Sequence, residues 1–97
     1  MKMYLHIEPF ERIKSGEKKI ECRLHDEKRR QIKVGDVIEF MSRETGDTIE
    51  KEVAALHVFS TFKEMFEKFP EEFINNVYQY YTQEDEKENG VIAIEFK

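Results

Sequence analysis

Met3, Leu5 and Ile7 share one phase of an alternation in which Tyr4 and His6 take the other, the period of a half-buried strand. A short helix is predicted next. Pro9 suits its first turn, Glu8 and Glu11 its positive end, Phe10 and Ile13 share a face, and Gly16 is placed to end it. Residues 18–24 return to period two, which predicts Ile20, Cys22 and Leu24 pointing inward and Lys19, Glu21 and Arg23 on the opposite face. Residues 25–33 are almost wholly polar, with Lys28, Arg29 and Arg30 adjacent, and read as a solvated connection with room for a helical turn.

Asp36 to Met41 forms a third predicted strand, Arg43 to Asp47 a hairpin turn, and Thr48 to Phe59 a long fourth strand. Within it Ile49 and Val53 share a phase that Leu56 and Val58 abandon, so a bulge is expected near Ala54 or Ala55, bending the sheet toward closure. Thr61 with Glu64 makes a capping box, and Phe62, Met65, Phe66 and Phe69 follow at helical spacing up to Pro70. Residues 71–81 are read as a second helical segment with Phe73, Val77 and Tyr81 on one side, and Thr82 with Asp85 opens a short third. Gly90 then releases a last strand in which Ile92, Ile94 and Phe96 complete a core face. The pattern predicts a small curled sheet or barrel plugged by helices.

Ninety-seven residues enclose one core, so residues 1–97 are read as a single domain. No apolar run approaches the ~20 residues that cross a bilayer, and no signal-like stretch precedes Pro9, so a cytoplasmic protein without membrane contact is expected. The lone Cys22 has no disulfide partner, and no Cys/His spacing suits zinc; neither metal nor cofactor is expected. The net charge of -5 opposes general attraction to nucleic acid. Its distribution changes that picture: residues 1–33 carry ten Lys/Arg against six Asp/Glu, and residues 34–97 six against fifteen. A basic wall on an acidic molecule can still draw an anion, although scattered surface charge gives the same count.

The run Ile13-Lys14-Ser15-Gly16-Glu17-Lys18-Lys19-Ile20-Glu21-Cys22-Arg23 resembles the signature of ASCH domains, a Gly followed by Lys, a β-rich segment and an Arg. Val34-Gly35-Asp36-Val37 is similar to that family's Gly-Asp turn into a strand, and Asn89-Gly90-Val91-Ile92 to its closing strand. The resemblance covers essentially the whole chain. It implies an α+β fold, a PUA-like small curled β-barrel with short helices packed at its ends, acting on RNA or its components. Some short members are amidohydrolases that remove the acetyl group of N4-acetylcytidine, using a Lys after the Gly, a Thr three residues on, a Glu from the later helical region and a neighbouring Arg. Lys18 matches that Lys and Arg23 that Arg, whereas Glu21 stands where the subgroup has Thr. Glu64, Glu67, Glu71 and Glu72 all fall where the helical Glu belongs, with Glu64 claimed by the cap.

A carboxylate beside Lys18 stabilises its ammonium form, which favours anion binding by that residue over base catalysis. Lys18 and Arg23 would then grip a phosphate or a base carbonyl, with Glu21 accepting from an exocyclic amine. The competing reading of Lys19, Glu21 and Arg23 is a salt-bridge ladder on a solvated sheet face. Lys14, Lys19 and the Lys28, Arg29, Arg30 loop are rim candidates that equally suit plain surface. Cys22 reads as a buried thiol, and Tyr78, Tyr80 and Tyr81 as either base-stacking or helix-packing rings. An RNA- or nucleotide-binding module with a cationic cleft centred on Gly16 to Arg23 is the leading expectation. A small amidohydrolase, with Lys18 and Glu21 catalytic, is the second, and a protein-interaction domain using the acidic 84–88 stretch the third.

Overall fold

The run from Thr48 to Phe59 is long enough to pair with two neighbours in succession, and it organises the sheet. The computed structural model describes residues 1–97, with strands β1 (Lys2–Leu5), β2 (Ile20–Leu24), β3 (Val37–Ser42), β4 (Thr48–Phe59) and β5 (Val91–Phe96). Helices α1 (Ile7–Ser15), α2 (Phe62–Lys68) and α3 (Gln83–Asn89) join them, with 3-10 turns at Arg29–Gln31, Pro70–Glu72 and Val77–Gln79. The strand order is β1-β3-β4-β5-β2; β1 lies parallel to β3 and the other pairs are antiparallel.

The expected bulge is present: the β4–β5 register shifts between Val53 and Ala55. Val53 then faces the same core as Leu56, and the sheet curls into a half-barrel around Phe10, Ile13, Ile38, Phe40, Ile92 and Ile94, all sealed from solvent. The two edges, β1 and β2, share no backbone ladder, and the Arg23 Nη2 donates across the seam to the carbonyl of Tyr4 at 3.2 Å.

β5 is buried on both faces, which is why Val91 to Ile94 reads as an unbroken apolar run. Ile92 and Ile94 enter the barrel; Val91 and Ala93 face a second cluster with Phe62, Met65 and Val77. The apolar face of β2 is buried as expected, but in this second cluster, and its opposite face is sheltered too. Ile20 and Cys22 belong to the second cluster under α2, outside the barrel, while Glu21 pairs with Ile94 and Arg23 with Ile92 and so share the concave face. No solvated ladder forms there; Glu21 is 8% exposed.

Caps follow the sequence closely. Thr61 accepts from the Glu64 N–H at 3.1 Å and Thr82 from that of Asp85 at 3.0 Å. Gly16 ends α1 at φ +86°. The expected helix over 71–81 does not form: two 3-10 turns replace it, separated by Asn76 at φ +60°. Asn76 reverses the backbone hand in mid-segment, so an i to i+4 ladder cannot propagate across it.

Gly90 carries one mechanical requirement. At φ +70° a Cβ there would sit 2.9 Å from the Phe59 carbonyl oxygen. Gly90→Ala is expected to cost about 1–3 kcal/mol, read as a lower urea midpoint with an unchanged slope.

Candidate functional site

Lys18 follows the left-handed turn at Gly16, which swings the chain from α1 back toward β2; its N–H is accepted by the Arg12 carbonyl at 2.9 Å. The side chain turns into a hollow where it is only 10% exposed. Its ammonium donates to the Ile20 carbonyl and to Glu72 Oε1, with Glu21 Oε1 3.7 Å away. Glu21 Oε2 in turn accepts from Arg23 Nη2 at 2.8 Å. The Arg23 Nε is buried with no partner. Four charges drawn from β2, its preceding turn and the 70–72 turn thus form one chain, Glu72–Lys18–Glu21–Arg23.

Lys18, Glu21 and Glu72 line a cleft of about 510 Å³, within the range of small-molecule sites. Pro9, Cys22, Ile74 and Tyr80 contribute to its walls. A smaller lobe of about 270 Å³ adjoins it, sharing His6, Glu21 and Tyr80 and adding Tyr4, Arg23, Arg43 and Tyr81. The charge differs from the cationic cleft expected of Gly16 to Arg23. The larger lobe is lined by Glu8, Glu21, Glu71 and Glu72 against Arg12 and Lys18, because the helical insert folds part of the acidic half over the basic one. Positive charge gathers instead in the smaller lobe, where Arg23 and Arg43 face Glu21 alone.

Of the residues singled out in the sequence, Lys18, Glu21 and Arg23 converge. Lys14 and Lys19 are exposed and line neither lobe. Lys28 is exposed, Arg29 pairs with Asp26 at 2.9 Å, and Arg30 donates to the carbonyls of His25 and Asn89. None of the three lines the cleft, although Arg29 is near enough to Tyr81 for its charge to act there. Tyr80 and Tyr81 border the smaller lobe; Tyr78 instead donates to the buried Glu86. His57 lies on the outer sheet face against Phe69 and meets Glu95 at 3.0 Å.

Burial pushes the Cys22 thiol up to about 12, so it is no nucleophile although it borders the cleft. Burial also raises the Tyr81 phenol, which stays a donor. No group of His, Cys, Asp and Glu is arranged to hold a metal ion. A separate groove of about 430 Å³, lined by Phe62, Phe66, Phe73 and Val77 among others, lies beyond Ile74.

Glu72 completes the site. Sequence placed it in a set of four carboxylates, and only the fold selects it. Arg43, in the β3–β4 turn, carried no signal: its N–H is accepted by the Leu5 carbonyl at 2.8 Å, which fixes the turn beside the end of β1.

No helix is long and apolar enough to cross a membrane. No curated protein matches the chain. Solved structures do, among them these two. The crystal structure of hypothetical protein PH0355 shares 44% identity at a TM-score of 0.83, covering 99% of this chain and 95% of that one. The solution NMR structure of protein PF0455 from Pyrococcus furiosus shares 42% identity at a TM-score of 0.74, covering 99% and 94%. The ASCH domain family model matches residues 3–97. With the half-barrel and the Gly16-to-Arg23 signature in place, the chain belongs to the ASCH domain family.

Proposed function

We propose that the cleft binds a nucleoside-sized component of RNA, a single base with its sugar, and not a long phosphodiester track. The observation that carries this is the floor: carboxylates Glu21 and Glu72 held by Lys18 in a recess of about 510 Å³. A purely electrostatic RNA groove would be lined by cations, whereas here acids outnumber them in the larger lobe. Fixed carboxylates suit the exocyclic amine of a base such as cytosine. Lys18 has its donors directed at two carboxylates and a carbonyl, so its role is to hold the acids in place more than to grip phosphate.

Calorimetric titration of the four ribonucleosides and a short single-stranded RNA tests the reading. Saturable binding of at least one is expected, and binding of none at millimolar concentration rejects it. Glu21→Gln is expected to weaken binding about tenfold to a hundredfold, the worth of a charge-assisted hydrogen bond to the amine. A loss below about fivefold in a folded variant counts against the site.

Amide hydrolysis is the second reading, favoured by one specific contact: Lys18 meets Glu72, pairing the Lys of the signature with a Glu from the helical region. A carboxylate would take a proton from water, the water oxygen would add to the acyl carbonyl, and the Lys18 ammonium would stabilise the oxyanion. Collapse would expel the amine, which recovers the proton from the carboxylic acid, leaving acetate and cytidine from N4-acetylcytidine. Incubation with N4-acetylcytidine decides it: no cytidine at high protein concentration removes this reading.

A further inference from the structure

We infer that the smaller lobe is a phosphate subsite built by Arg43 and Arg23, so that the preferred guest is a phosphorylated nucleotide and not the free nucleoside. The inference rests on the proposed reading of the larger lobe and extends it along the cleft.

The two lobes share Glu21 and Tyr80 but differ in sign. A guest whose amine-bearing base meets Glu21 and Glu72 must point its remaining substituent somewhere, and the adjoining lobe is where cations face the gap. Arg43 is exposed, forms no ion pair with any carboxylate, and borders the lobe. Its guanidinium instead lies 5.6 Å from the ring centre of Tyr4, a cation–π placement that orients the fork while leaving its N–H donors free. Arg23 is spoken for at Nη2, by Glu21 and Tyr4, while its Nε has no partner. Glu44, the next residue in the chain, is engaged by His6 Nδ1 at 3.0 Å and forms no ion pair with Arg43. A planar guanidinium with free donors lining the same lobe as a second one, next to an amine-reading pocket, suits a phosphate carried on the sugar of the bound base.

The test compares the full chain with cytidine, adenosine, their 5′- and 3′-monophosphates, and inorganic phosphate, by calorimetry at low and moderate salt. At least one monophosphate is expected to bind about tenfold or more tighter than its nucleoside, with the gap narrowing as salt rises. Arg43→Ala is expected to erase that gap while leaving nucleoside affinity unchanged. Arg43 is exposed and its fixed backbone N–H survives the substitution, so the variant should keep its fold, checked by circular dichroism. Inorganic phosphate competing with the monophosphate but not with the nucleoside supports the subsite. Equal affinity for nucleoside and monophosphate overturns the inference and leaves the larger-lobe reading standing, as does an Arg43→Ala loss common to both. Binding of neither overturns both.

Discussion

Lys18→Met is expected to destabilise the domain by about 3 kcal/mol, lowering the melting temperature by roughly 12 °C or more. The ammonium is the shared counter-charge of Glu72 and Glu21, whose side chains are only 8% and 11% exposed. Removing it leaves two acids facing one another across a recess that water enters poorly, and Arg23 can compensate only Glu21. Methionine preserves the stem's volume, so the loss reports charge and not a hole. Urea unfolding of K18M, E72Q and the double variant closes the cycle. The double variant should recover a substantial part of the deficit, because one orphaned charge has gone. A loss below about 1 kcal/mol for K18M would show that the group behaves as a solvated surface pair and that the recess is wetter than its geometry implies.

Phe62→Ala should cost about 3–5 kcal/mol, the range for truncating a sealed aromatic. Phe62 is 1% exposed and stacks with Phe66 and Tyr81, their ring centres 5.9 and 5.3 Å away. It belongs to the cluster that holds Ile20 and Cys22 of β2, so the cavity would open directly behind the strand that carries Glu21 and Arg23. The backbone N–H of Phe62 is accepted by the buried Glu86 at 2.8 Å, a bond alanine keeps, which confines the effect to packing. Phe62→Leu, retaining most of the volume, should lose less than about half as much. Denaturation midpoints of the two variants check this, and equal losses would implicate the ring's stacking over its bulk.

Most of the scaffold was legible because its signals are local. Thr61 and Thr82 cap within three residues, Gly16 and Gly90 sit where L side chains strain, and the phase slip after Val53 marks the bulge without knowledge of the partner strand. The 71–81 segment misled because its apolar spacing is helical while Asn76 imposes a left-handed residue that spacing does not register. Alternation in β2 marks Ile20 and Cys22 as buried, which they are, but does not say in which core. One apolar face suffices to define an inside only when there is a single core, and here β5 separates two.

The site was legible as far as one segment reached. Lys18, Glu21 and Arg23 lie within six residues of one another, so their meeting needed only a turn and a strand. Glu72 and Arg43 arrive from distant loops, and their positions depend on how the insert and the hairpin fold back. The Lys28 to Arg30 run failed as a rim for the converse reason. Asp26 and two carbonyls engage Arg29 and Arg30, and neither side chain lines the cleft.

The gap between the first and second strands sets how a guest would come and go. Because one guanidinium, and no peptide ladder, spans that flank, its lip can widen by a torsional change in a single side chain. Admission of a guest would then need a side-chain rotation and leave every strand pairing intact.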